Sequence, residues 1–162
     1  MHPAGRPCRD PRLVTEVDAM AKKDGVGRYG ERVALRHVVS RGWQVLDTNW
    51  RGKDGELDIV ALDGDVLVVI EVKTRSGHGF GHPAEAVTPR KLARIKRLTG
   101  QWLTVFRERL AAARLAEEAM PGSPVPVLPD VRTRFGAIRI DVVAVTLQEQ
   151  GRAVVEHLES VA

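Results

Sequence analysis

The chain has 162 residues, 43% hydrophobic and 28% charged, with a formal net charge of +4, a length that suits one domain with a core of a single sheet flanked by helices. Aromatic residues make up only 4%, so that core must rest on Val, Leu, Ile and Ala. The single cysteine, Cys8, excludes an intrachain disulfide and suits a reducing compartment, and no run approaches the ~18–20 apolar residues of a membrane span.

Residues 1–26 mix Pro, Gly and scattered charge without an apolar period and read as a disordered extension. Met20-Ala21-Lys22-Lys23 has the form of a native start, which mass spectrometry of the N-terminus would test. The first residues lack the apolar core and cleavage site of a secretory signal, so the expected address is cytoplasmic. Residues 27–41 read as a helix, because Glu31, Ala34, Leu35 and Val38 recur at i, i+3, i+4 and i+7. Gly42 is placed to end it in a left-handed turn.

Residues 43–50 read as a strand, followed by a polar turn over 51–55 and two further strands over 56–62 and 65–74. Between the latter two lies Asp63-Gly64, a pair favoured in two-residue hairpin turns. Residues 76–87 form a glycine-rich loop with His78 and His82. Thr88-Pro89 supplies an N-cap and a first-turn proline for a helix striped by Leu92, Ile95, Leu98 or Thr99, Trp102, Phe106 and Leu110, running to about Glu118. Four prolines within 121–130 demand an extended loop. Residues 135–146 read as a strand, and 154–161 as a short last one. The order helix, three strands, helix, strand predicts an α/β sandwich around one mixed sheet, with residues 27–162 as a single domain.

The positive charge is concentrated. Between Thr88 and Arg109 seven basic residues stand against Glu108, a net of +6. Arg90, Arg94 and Arg97 fall at i, i+4 and i+7 away from the apolar stripe, where they can meet backbone phosphates or simply form a solvated face. Lys91 lies beside them.

The hairpin carries the chemistry. With Asp63 and Gly64 as the loop, Leu62 faces Asp65, Asp58 faces Val69 and Glu56 faces Glu71. Strand alternation then puts Asp58, Glu71 and Lys73 on one face, with Asp58 and Glu71 on a diagonal roughly 7–8 Å apart; a three-residue turn would reverse Asp58. Two carboxylates so close are costly to desolvate. A hard cation resolves the conflict, since Mg²⁺ takes one or two carboxylates plus water and phosphate oxygens. Lys73 beside it could orient water or steady charge on a phosphate. The competing reading is a Glu71–Lys73 ion pair at a strand end with Asp58 solvated.

Gly55-Glu56-Leu57-Asp58 followed by Glu71-Val72-Lys73 resembles the PD-(D/E)xK nuclease signature. More narrowly, Gly27-Arg28-Tyr29-Gly30-Glu31-Arg32-Val33-Ala34, residues 55–75, Ala86-Val87-Thr88-Pro89-Arg90-Lys91 and residues 140–145 together resemble the YraN family. Its members are endonuclease-like proteins related in fold to archaeal-type Holliday junction resolvases. The resemblance spans roughly residues 27–103 and 135–146. It implies a restriction-endonuclease-like sandwich in which Asp58 and Glu71 bind Mg²⁺ or Mn²⁺ and Lys73 assists phosphodiester hydrolysis. It also implies a catalytic role for Glu31, whose alternative is a first-turn acid on the helix dipole. Arg75, Arg90, Lys91, Arg94 and Arg97 are then the expected nucleic-acid contacts. Leu57 replaces the motif's proline, and residues 107–133 exceed the family's expected length, marking a helical, proline-rich insertion.

Other residues carry less. His78 and His82 sit in a loop rather than on a helix, so their spacing is not a zinc signature. Gly77, Gly79 and Gly81 do not open a helix directly after a strand, which argues against a dinucleotide loop. Trp43, Trp50 and Trp102 read as packing. Asp141 interrupts an apolar strand, either bracing a site residue or marking the strand's entry. Three functions are in play: a Mg²⁺-dependent endonuclease on branched DNA, which favours a homodimer; a non-catalytic DNA-binding protein of the same fold; and a basic protein–protein adaptor.

Overall fold

In the computed structural model the described residues are 11–76, 87–121, 135–148 and 152–162, with side chains described from residue 25 onward. Two helices and five strands follow in the order α1 (Pro11–Ser40), β1 (Gln44–Gly52), β2 (Gly55–Asp63), β3 (Val66–Ser76), α2 (Pro89–Ala119), β4 (Ala137–Leu147) and β5 (Val154–Leu158). The fold is mixed α/β. The strands lie in chain order in one open sheet, antiparallel except for the parallel central pair β3–β4.

Each side of the sheet has its own core. On one, Val60, Leu62, Leu67, Val69 and Ile140 meet Ile95, Leu98, Trp102, Phe106 and Leu110 of α2. On the other, Ile59, Ala61, Val68, Ile70, Val143 and Val145 meet Ala34 and Val38 of α1. Period-two strands sandwiched between apolar helical stripes bury both faces. The apolar runs of β2, β3 and β4 are what such a sheet requires.

The second helix follows its sequence signals. Thr88 caps it by accepting from the Lys91 N–H at 3.2 Å, with Pro89 in the first turn. Its buried residues are Ile95, Leu98, Thr99, Trp102, Phe106 and Leu110, while Leu92 of the expected stripe is half-buried. Gly42, at φ 77°, ends α1 as expected. The first helix is longer than its apolar pattern suggests: it starts at Pro11, where irregular chain was expected up to residue 26, and residues 1–10 lie outside the described set. The glycine-rich loop with His78 and His82 and the proline-rich loop also lie outside the described residues over 77–86 and 122–134. Among the described residues no helix is long and apolar enough to cross a membrane.

The β2–β3 turn sits one residue later than expected. Asp63 pairs with Val66 and Leu62 with Leu67, so the loop is Gly64-Asp65, with Gly64 at φ 62°. Contacts to the start of β4 explain the slip. Arg139 reaches the Asp63 carboxylate at 3.3 Å, and the Asp65 carbonyl accepts the Gly136 N–H at 2.9 Å. The ladder therefore moves by two positions in pairing, so that Ile59 faces Ile70 rather than Val68.

Candidate metal and nucleic-acid site

Asp58 departs from the expected face. Its neighbours Leu57 and Val60 both enter the α2-side core, so simple alternation fails between them. The irregularity coincides with Asn49 on β1, which lies between the Thr48–Ile59 and Trp50–Leu57 pairs and has φ 51°. Asn tolerates that left-handed conformation better than most residues. The β2–β3 pairing is last registered at Ile59–Ile70. Beyond it, Asp58 Oδ2 accepts the Val72 N–H at 2.7 Å. A strand N–H lies in the sheet plane, so the Asp58 carboxylate sits in the seam between β2 and β3 instead of standing on one face.

From that seam it meets acids on both sides. Burial pushes Asp58 up first, the Glu71 charge next, against the Val72 hydrogen bond, and Glu31 and Glu56 add to the rise; the result is about 7. On the α1 side, Asp58 lines an open depression of about 240 Å³ with Glu31, Arg28, Arg32, Thr48 and Asn49. Glu31 thus lines the same depression as Asp58. Gly30, one residue earlier, packs directly against Thr74, leaving no room for a side chain and drawing α1 close to β3.

Glu71 belongs to the α2 side. Its partner is Lys91, at 2.5 Å, rather than Lys73. Both side chains of this pair are largely buried, so the contact is more than a surface ion pair. Lys73 lies two residues beyond Glu71, exposed, on the same side by alternation. Lys91 moves from the expected nucleic-acid contacts into the acid cluster, a link between residues twenty apart that spacing could not reveal.

The other basic residues divide. Arg75 is half-buried on β3 and Arg90 is exposed. Arg97 pairs with Asp54 at 3.7 Å. Arg94 is partly buried and faces the β1–β2 turn. They are not a uniform solvated row.

Among the described residues no three His, Cys, Asp or Glu side chains form a cluster able to hold a metal ion. Mg²⁺ does not need three, since it keeps several waters and uses one or two carboxylates. Asp58 and Glu71 are the two carboxylates that could supply such a donor set. The raised Asp58, desolvated beside a second acid, is a group that a divalent cation would return to its ionised form.

Asp141 proves to be the centre of a different arrangement. It is fully buried, and its carboxylate accepts from Arg139 Nε at 3.0 and 3.2 Å and from the Ser160 N–H at 2.9 Å. His157 Nε2 lies 3.0 Å away. An ionised carboxylate only accepts, so that nitrogen donates to it, with Nδ1 on the far side of the ring. His37 Nε2 at 3.0 Å and Arg41 Nη1 at 3.1 Å face it. Trp43 packs edge-on to His157, beneath the guanidinium groups of Arg41 and Arg139. Asp141 therefore ties β4 to β5 and to the end of α1.

Residues 30–145 match the model of "Uncharacterised protein family UPF0102". A UPF0102 protein of Kineococcus radiotolerans is 48% identical over 140 residues, which cover 86% of this chain and 95% of that protein. One from Beutenbergia cavernae is 47% identical over 142 residues, covering 88% and 99%. One from Streptomyces coelicolor is 43% identical over 144 residues, covering 88% and 92%.

Proposed function

The chain belongs to the UPF0102 family, and from that premise we propose that it is a Mg²⁺- or Mn²⁺-dependent endonuclease of the PD-(D/E)xK kind, with a restriction-endonuclease-like sandwich, acting on branched or otherwise structured DNA. The observation that carries this reading is the strand seam where Asp58, raised to about 7, meets Glu71. Asp58 and Glu71 would hold the ion, which when bound supplies Lewis-acid polarisation of a phosphoryl oxygen.

The chain's own groups do the rest. Val72 N–H fixes one Asp58 oxygen. Lys91 holds the Glu71 carboxylate in place and must yield part of it on metal binding. Lys73, exposed beyond Glu71, orients water or steadies charge on the phosphate. Glu31, across the depression, is placed to take a proton or to position a water. Arg75, Arg90, Arg94 and Arg97 bring positive charge to the backbone. Two strands of a branched substrate favour a homodimer, and the one cysteine suits the cytoplasm.

The test is a cleavage assay on linear, flapped and four-way DNA with and without Mn²⁺. Cleavage by the wild type that disappears in folded Asp58→Asn, Glu71→Gln and Lys73→Ala variants supports the reading. Absence of wild-type cleavage on every substrate removes it.

A second reading has an observation of its own. Lys91 already neutralises Glu71 without a metal, as suits a non-catalytic DNA-binding protein of the same fold. That protein would bind DNA in a salt-sensitive way and cut none. A protein–protein adaptor would do neither.

A further inference from the structure

One helical turn beyond Lys91, Arg94 lies over the β1–β2 turn. Its Cδ and Nη1 are each 3.8 Å from where a Cβ on Gly55 would stand. Its Nε is buried and has no hydrogen-bond partner among the described residues. A guanidinium cannot shed its charge, and a buried donor left unmet marks a missing acceptor.

The space beside it is an open depression of about 380 Å³ lined by Arg51, Gly52, Gly55, Glu56 and Arg94. Its floor has to be bare. A side chain at Gly52 would run into Gln101, Leu98 and Trp50, and Gly55 has φ 138°. The acid in this lining, Glu56, lies 3.6 Å from Arg51. Glu56 stands two residues before Asp58 on β2, so the depression opens toward the acid pair. Arg97, the next arginine of the row, has Asp54. The unmet donor is at Arg94.

We propose that this depression is a phosphate subsite, in which Arg94, with Arg51 at its rim, clamps one backbone phosphate of a DNA strand whose neighbouring phosphodiester is presented to Asp58 and Glu71. The identity of the strand rests on the nuclease reading. The forked guanidinium matches phosphate oxygens in pairs, and the glycine turn lets them approach the backbone.

The test uses the full chain with a labelled four-way DNA, without divalent cation, by fluorescence anisotropy across a salt series. Arg94→Gln weakens binding about tenfold and lowers the salt slope by about one. Arg94→Lys restores the slope but only part of the affinity, because it keeps the charge and loses the fork. Arg107→Gln, exposed further along α2, leaves both unchanged. An Arg94→Gln variant with wild-type unfolding midpoint, affinity and slope overturns the proposal. So does an Arg94-dependent affinity for inorganic phosphate with unaltered DNA binding, which would make free phosphate the ligand. A separate Mn²⁺ cleavage assay distinguishes the two readings: loss of binding in Arg94→Gln with no wild-type cleavage keeps the clamp and removes the nuclease, and cleavage indifferent to Arg94 does the reverse.

Discussion

Asp58 and Asp141 are two aspartates withdrawn from water on neighbouring parts of one sheet, and they ionise in opposite directions. Burial pushes both up. At Asp141, hydrogen bonds from His157, the Ser160 N–H and Arg139 outweigh it and hold the carboxyl below its ordinary range. At Asp58, one backbone N–H stands against Glu71, Glu31 and Glu56, and the carboxyl rises to about 7. Burial sets the cost of the charge, and the neighbours decide whether it is met. Asp141 is a completed structural centre, whereas Asp58 is left in want of positive charge.

The comparison can be broken from either side. The largest effect expected is from Asp141→Ala, which strands Arg139 and His157 and should cost about 3–5 kcal/mol of stability in urea unfolding at pH 7; a loss near zero would mean the network is ornamental. Next, if Asp58 serves the reaction, Asp58→Asn should lower cleavage about 100-fold, about 2.7 kcal/mol on the barrier, while leaving the protein folded.

A smaller effect separates the two by sign. The raised Asp58 contributes stability that is present below pH 3.8 and lost as pH rises through about 7. Asp58→Asn should therefore be more stable than wild type at pH 8 and not at pH 3. The depressed Asp141 contributes stability present above its unfolded value and lost as pH falls through its folded one. Thermal melts of both variants from pH 3 to 8 should diverge accordingly. Mn²⁺ should raise the wild-type melting temperature and leave Asp58→Asn unmoved. Smallest of all, Arg97→Ala removes a surface pair with Asp54 and should change stability by less than about 0.5 kcal/mol.

Local signals were legible and seams were not. Thr88-Pro89 and the Ile95–Leu110 stripe announce α2 because capping and periodicity act within a few residues. The hairpin was legible, but its turn slid to Gly64-Asp65 because Arg139 and Gly136, far along the chain, hold Asp63 and Asp65. Asp58 feels the Glu71 charge, but from the strand seam and not from the shared face that the hairpin arithmetic predicts. Parity arithmetic assumes an unbroken ladder, and the kink at Asn49 has no sequence mark beyond that residue's tolerance for positive φ. The polar interruption at Asp141 was a real signal whose partners, His157, Ser160 and His37, no local pattern names. Lys91, expected among the nucleic-acid contacts, meets Glu71 across a separation that no local pattern spans.

The parallel pairing at the centre of the sheet has a bearing on synthesis. Val66 meets Ala137 and Glu71 meets Val142, with all of α2 between them. Closing so long a stretch of chain is slow compared with zipping up a hairpin. A ribosome-bound chain that ends with α2 holds every acid of the Asp58 cluster and yet lacks the strand that braces β3. The second edge of β3 is covered only once the last quarter has emerged, so a fragment released early would carry the motif on a strand braced from one side alone.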